Sequence, residues 1–144
     1  MTDRFTRQQR SEIMARIKGR DTAPERVVRS LLHGMGYRFR LHVRELPGRP
    51  DIVLPRHRKV ILVHGCFWHG HNCRRGARPR SNSNFWNRKI DGNIERDKRD
   101  RKGLHSLSWK VLVVWECQIR DEEALRGRLL KFMAGNGGPN DKRP

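Results

Sequence analysis

DIVLPRHRKVILVH, residues 51–64, places two apolar runs around a basic turn. The second, VILVH at 60–64, is continuously apolar up to its last residue, the pattern of a central strand buried on both faces. The first, DIVLP, is a short strand ended by Pro55, which has no N–H to give a ladder. Upstream, YRFRLHV (37–43) alternates Tyr37, Phe39, Leu41 and Val43 with polar residues, the period of a half-buried strand. LPGRP (46–50) turns it toward Asp51. Downstream, WKVLVVW (109–115) reads as another buried strand, with Trp109 and Trp115 in its core pattern.

Helical signals surround these strands. In TAPE (22–25), Thr22 caps, Pro24 suits a first turn and Glu25 completes a capping box. Val27, Val28, Leu31 and Leu32 follow at helical spacing until Gly34 and Gly36. Residues 84–107 form a charged helix, and 121–133 an amphipathic one with Leu125, Leu129, Leu130 and Phe132. Residues 6–18 form a basic helix with Ile13, Met14 and Ile17 on one side. Three strands on short turns make an antiparallel meander, and the long helix before the fourth permits a parallel crossover. The expected fold class is α/β, one mixed sheet flanked by helices. One domain covers 1–134, and the polar tail 135–144 is disordered for want of an apolar anchor.

The 144 residues are 35% hydrophobic, enough for one core. Lys and Arg number 33 against 15 Asp and Glu, a formal charge of +18. Such self-repulsion is relieved by polyanions, nucleic acid first and an anionic membrane surface second. No apolar run approaches the roughly 18 residues that cross a bilayer. The polar N-terminus lacks the apolar segment of a secretory signal. Three cysteines, an odd number, do not make a disulfide framework. These features place the protein in the cytoplasm, with the chromosome.

CFWHGHNC (66–73) holds Cys66, His71 and Cys73, and Cys117 follows the last strand. Three thiolates and an imidazole form a closed tetrahedral zinc set, which staples a loop and leaves no position for substrate. The competing reading is three buried thiols and a loop histidine, and His64 and His69 are rival ligands. Asp51 begins its strand near the C-terminal end of 60–64. There a carboxylate and a strand-end carbonyl suit Mg²⁺, and His64 and His69 lie just beyond. A hard cation beside neutral imidazoles suits phosphodiester hydrolysis. Singly, Asp51 also reads as a turn residue, His64 as a core histidine and Glu25 as a cap. Phe67, Trp68, Phe85 and Trp86 read as wedges that unstack DNA, or as a cluster covering the zinc.

Together these residues resemble the very-short-patch repair (Vsr) endonucleases. The matching stretches are RDTAPE (20–25), LPGRPDIVL (46–54), HGCFWHGHNC (64–73), FWNRKIDGNIERDKRD (85–100) and WKVLVVWEC (109–117). The resemblance implies a restriction-endonuclease-like core with a structural zinc. It implies a strand-specific, Mg²⁺-dependent nick 5′ to the thymine of a T:G mismatch, which repairs deaminated 5-methylcytosine. Asp51 and the Val63 backbone carbonyl would hold Mg²⁺, His69 would activate water, and His64 and Glu25 would support the site. Cys66, His71, Cys73 and Cys117 match the zinc ligands. Phe67, Trp68 and Trp86 match aromatics that enter DNA. Met14 falls where the N-terminal helix reaches DNA, and Lys89 and Asn93 match positions near the mismatched bases. The partners implied are double-stranded DNA bearing a T:G mismatch and downstream repair proteins, for a monomer off the membrane. Val63 stands where relatives carry Thr, and the nuclease Glu-x-Lys pair after Asp51 is missing. Two rivals are a non-enzymatic zinc-containing DNA-binding protein and a restriction-type nuclease on matched DNA. Asp51 weighs against the first, since a carboxylate repels phosphate, and the wedge aromatics weigh against the second.

Overall fold

The computed structural model describes residues 22–135. The elements run α1 (Ala23–Gly34), β1 (Arg40–Leu41), β2 (Ile52–Leu54), β3 (Lys59–His64), α2 (Ser83–Ser106), β4 (Lys110–Trp115) and α3 (Glu122–Ala134), with short 3-10 turns at Pro55–His57, Arg74–Gly76 and Glu116–Gln118. The sheet order is β1-β2-β3-β4. The first two pairings are antiparallel and β3–β4 is parallel, as the meander and crossover required. The helix expected over 6–18 with Met14, and the tail beyond 135, lie outside the described residues.

Both faces of the sheet are covered. Ile52, Leu54, Ile61 and Val114 pack against Val28 and Leu32 of α1 and Leu125, Leu129 and Met133 of α3. Val53 and Val60, pointing oppositely, pack with Leu104 of α2 and with Trp109. This two-sided burial is why 52–54 and 60–62 read as unbroken apolar runs. Each such side chain contributes roughly 1.5–3 kcal/mol by leaving water.

The strand expected over 37–43 shrinks to Arg40–Leu41. His42 adopts φ 52°, a left-handed conformation that breaks the pleat. Tyr37 and Phe39 therefore pack on the α1/α3 side, and Val43, beyond the reversal, on the α2 side. A second departure is Lys59, assigned by sequence to the basic turn. It is fully buried, and its Nζ donates to the carbonyls of Phe132 at 2.7 Å, Met133 at 3.1 Å and Gly135 at 3.2 Å. A cation there satisfies carbonyls that the end of α3 leaves over, with favourable sign for the helix dipole.

Candidate active site

The site forms where β3 ends. The register Ile52↔Ile61 carries Asp51 alongside the last residues of β3, and its Oδ2 accepts the Val63 N–H at 2.8 Å. Glu25 arrives from the first turn of α1 and is only 4% exposed. Its N–H is capped by Thr22 Oγ1 at 3.4 Å, while its carboxyl group meets Asp51. Thr22 is therefore the cap, acting through the Glu25 N–H, and the Glu25 side chain is left for Asp51. His42 Nε2 lies 3.3 Å from Glu25 Oε1, within ion-pair distance but without hydrogen-bond alignment. Burial first, and then the bond and charge of Glu25, push Asp51 up to about 7, against the lowering pull of the Val63 N–H. Two carboxyl groups so close share a proton or a cation.

On the other side of the strand end, the rings of His64 and His69 stack with centroids 3.9 Å apart and planes within 4°. His69 Nδ1 lies 2.6 Å from Asp97 Oδ2 of α2. Donation from Nδ1 to a carboxylate leaves the Nε2 lone pair free, the tautomer of a general base. His64 is held down to about 3 by burial and then by His69, so it is neutral near pH 7. Its buried Nδ1 has no hydrogen-bond partner among the described residues. His64, His69 and Asp97 place ligand-type atoms within 4.8 Å of one another. The parallel stack nevertheless directs the imidazole lone pairs along two separate planes, so one ion cannot lie in both. This arrangement leaves the His69 Nε2 lone pair open to accept a proton.

Cys66, His71, Cys73 and Cys117 form the second cluster, their ligand atoms also within 4.8 Å of one another. The parallel register His64↔Trp115 brings Cys117 to the 66–73 loop, as two adjacent strands would. Cys117 Sγ lies 3.6 Å from His71 Nδ1, and the Cys117 N–H points to Cys66 Sγ at 3.4 Å. Backbone bonds from His71 to Cys66 O and from Cys73 to His71 O, both 2.9 Å, fold the loop around the thiols. A Cβ at Gly76 would overlap the His71 carbonyl, so only glycine closes that turn. Thiols this close disfavour ionising together unless a cation compensates them, and the donor set fits a structural metal. His71 joins the thiols, while His64 and His69 belong to the other cluster.

The aromatics gather between loop and helix. Phe67 meets Trp68 at 5.0 Å and Trp86 at 5.3 Å, edge to face. Trp86 is buried, Phe67 and Trp68 are half-buried, and Phe85 is exposed against the Trp86 edge. Trp86 is thus the base of the cluster, and Phe67 and Trp68 its rim. Asn93 is buried and its Nδ2 donates to the Trp68 carbonyl at 2.8 Å. Lys89 is half-buried on the same helix. Gly70, at φ 65°, lets the loop lie against α2, where a Cβ would reach within 2.6 Å of Ile94. Three site residues escaped the sequence reading: Asp97, His42 and Trp115. Asp97 had a usable signal, because Trp86, Lys89, Asn93 and Asp97 recur at helical spacing along one face. His42 had none, since a left-handed backbone is not written in residue type.

The family model for the DNA mismatch endonuclease Vsr matches residues 2–75. The type II nicking enzyme V.XorIIP of Xanthomonas oryzae pv. oryzae is 50% identical over 133 residues, 92% of this chain and 98% of its own. The DNA mismatch endonuclease Vsr of Escherichia coli K12 is 45% identical over 142 residues, 95% of this chain and 91% of that protein. Among solved structures, the catalytic domain of the homing endonuclease I-Bth0305I superposes with a TM-score of 0.55 at 23% identity, covering 78% of this chain and 94% of that one. That likeness shows a shared fold. With these matches over nearly its whole length, the chain belongs to the Vsr DNA mismatch endonuclease family.

Proposed function

We propose that the protein is a strand-specific mismatch endonuclease that cuts one strand of duplex DNA 5′ to the thymine of a T:G pair. The observation that carries this is the Asp51 carboxyl group fixed on the Val63 N–H, at the same strand end as the His64-stacked His69 that Asp97 orients. Asp51 and the Val63 carbonyl would hold Mg²⁺, which supplies charge neutralisation at the phosphate and a polarised water. His69 takes the water proton at Nε2, and Asp97 holds the resulting imidazolium in place. His64 stays neutral and stacks against the base, keeping water from that face. Glu25 sets the charge around Asp51. Val63 serves through its backbone, so valine in place of threonine is tolerated.

Cys66, His71, Cys73 and Cys117 would hold zinc, which would fix the loop that carries Phe67, Trp68 and His69. Phe67 and Trp68 enter the weakened stack beside the mismatch while Trp86 supports them from below. Lys89 faces the mismatched bases, buried Asn93 acts on them through its hold on Trp68, and Met14 contacts the duplex. The +18 charge supplies phosphate affinity irrespective of sequence. The protein works as a monomer in the cytoplasm, at the chromosome, before downstream repair proteins. A pure zinc-dependent DNA binder has no use for Asp51 or for a carboxylate-oriented imidazole. The test is a set of end-labelled duplexes, T:G and matched, with and without Mg²⁺. One nick 5′ to the thymine, dependent on Mg²⁺, is expected. Equal cutting of matched DNA, or none of either, would overturn the reading.

A further inference from the structure

Trp115 ends β4 directly beside His64, its register partner across the parallel pair. Its ring does not go into either hydrophobic core. It stacks face to face on His71, with centroids 4.1 Å apart and planes within 11°. It also meets His64 edge-on at 5.2 Å and His69 at 6.4 Å. Its backbone is pinned, because the Trp115 N–H donates to Gln118 Oε1 at 2.9 Å. The same oxygen accepts Arg128 Nη1 of α3 at 2.7 Å. One indole therefore lies between a residue of the metal-type cluster and both stacked imidazoles. The buried Nδ1 of His64 has no hydrogen-bond partner among the described residues, so ring contacts with His69 and Trp115 orient it.

We propose that Trp115 is a positioning residue, the plate through which the Cys₃His centre sets the orientation of the His64–His69 pair. Aromatic contacts are directional. His71, as a ligand of the metal the cluster would hold, would fix the face of the indole, and the indole edge fixes the ring of His64. His64 then supports the plane of His69 opposite Asp97. The site assignment rests on the functional reading above. The coupling itself rests on ring geometry in the free protein. A displacement of a catalytic group by about 1 Å reduces rate by as much as 100-fold.

The experiment uses the zinc-loaded full chain with Trp115→Leu, Trp115→Phe and His71→Cys. The last keeps a four-thiolate metal site and removes the imidazole under the indole. Three quantities are measured: single-turnover nicking of a T:G duplex, duplex affinity without Mg²⁺, and bound zinc. The low-field Nδ1–H resonance of His69 in free protein is a fourth. Trp115→Leu and His71→Cys are expected to cut roughly 10-fold to 100-fold more slowly. Affinity should stay unchanged and zinc at one equivalent. The His69 resonance should broaden in both and stay sharp in Trp115→Phe, which restores most of the rate. Wild-type rate in either disruptive variant, or slowing that only tracks lost zinc, overturns the proposal. If Trp115→Leu fails to fold, His71→Cys decides it. If wild type does not nick T:G DNA, the functional reading fails and the resonance still tests the coupling.

Discussion

His69 Nδ1 lies 2.6 Å from Asp97 Oδ2, so a residue of helix α2 sets the tautomer of an imidazole that the preceding loop supplies. On the proposed reading, Asp97 supports His69 as the base. Asp97→Asn keeps the size and can accept the same bond, but it no longer stabilises an imidazolium. Single-turnover nicking is expected to fall roughly 10²–10⁴-fold, with duplex affinity unchanged. His69→Ala should match it, and the double variant should lose little more. Additive losses would mean that the two act separately.

Asp51 gives the fold a pH dependence. Its carboxyl group is raised from 3.8 to about 7 in the folded chain, chiefly by burial. Between these values the folded state holds a proton that the unfolded state has released, so this contribution to stability declines as pH rises. It is fully present below about pH 4 and gone above about pH 7. In zinc-containing, Mg²⁺-free buffer, Asp51→Asn should therefore be the more stable protein at pH 8, by on the order of 2 kcal/mol, and should show a flatter slope from pH 5 to 7. Urea midpoints across that range measure it. Asparagine no more stable than aspartate at pH 8 would remove the burial penalty from the account.

Much of this site can be traced to the chain's pattern, and the gaps have physical causes. Two-sided burial wrote β2 and β3 as apolar runs, and from them the position of Asp51 beside the end of β3 follows. Cys66, His71, Cys73 and Cys117 announced themselves by ligand type. Glu25 is ambiguous in sequence because a capping box and a site carboxylate both call for the same residue type, while in the fold its N–H is capped by Thr22 and its carboxyl group faces Asp51. The 37–43 strand failed at His42, where one left-handed residue moves the alternation to the opposite face. Lys59 sat unnoticed among basic neighbours because its role depends on a helix end 73 residues away in sequence. Trp115 obeyed the strand's alternation but packs on imidazoles, a contact that only the crossover creates.

The Cys₃His set should hold one zinc per chain. Structural zinc contributes roughly 10 kcal/mol of binding energy to folding, comparable with the whole net stability of a domain, about 5–15 kcal/mol. Cys117→Ser should lose the metal, and slow chelation of wild type should release the 66–73 loop with Phe67, Trp68 and His69. Metal analysis and proteolysis within that loop are the measurements. A metal-free chain equally resistant to protease would show that the thiols staple nothing.

Recognition and charge attraction should separate by residue. Trp68→Ala is expected to lower the ratio of T:G to matched binding and leave the salt slope almost unchanged. Arg80→Ala, in the exposed basic loop, should weaken both duplexes alike and reduce the salt slope by about one contact. Arg78 is a control of a different kind. Its guanidinium donates to Asn87 at 3.0 Å and Asp91 at 2.9 Å, tying the loop to α2, so its removal should loosen the loop as well. Titration of both duplexes at several salt concentrations measures this. Equal weakening of matched and mismatched DNA by Trp68→Ala would make that ring a cover for the metal loop.

Lys59 tests whether a buried cation holds α3 in place. The lysine is fully buried, and its ammonium group donates to three carbonyls at the end of α3. Two effects oppose each other. Burying an ammonium ion costs several kcal/mol, so removing it recovers that cost. Removing it also strips charge-assisted donors from carbonyls, each worth roughly 1.5–3 kcal/mol, where intrahelical partners have run out. With three such bonds the second effect should win. Lys59→Met, which keeps the stem volume, is expected to lower stability by about 2–3 kcal/mol. Lys59→Ala should lose roughly 2 kcal/mol more through the space left among the α3 side chains. Urea unfolding of the zinc-loaded proteins measures both, and nicking per folded molecule should not change, because Lys59 lies at the opposite end of β3 from His64. Methionine at wild-type stability would mean that the desolvation cost cancels the three bonds, leaving the stem as the part of Lys59 that matters.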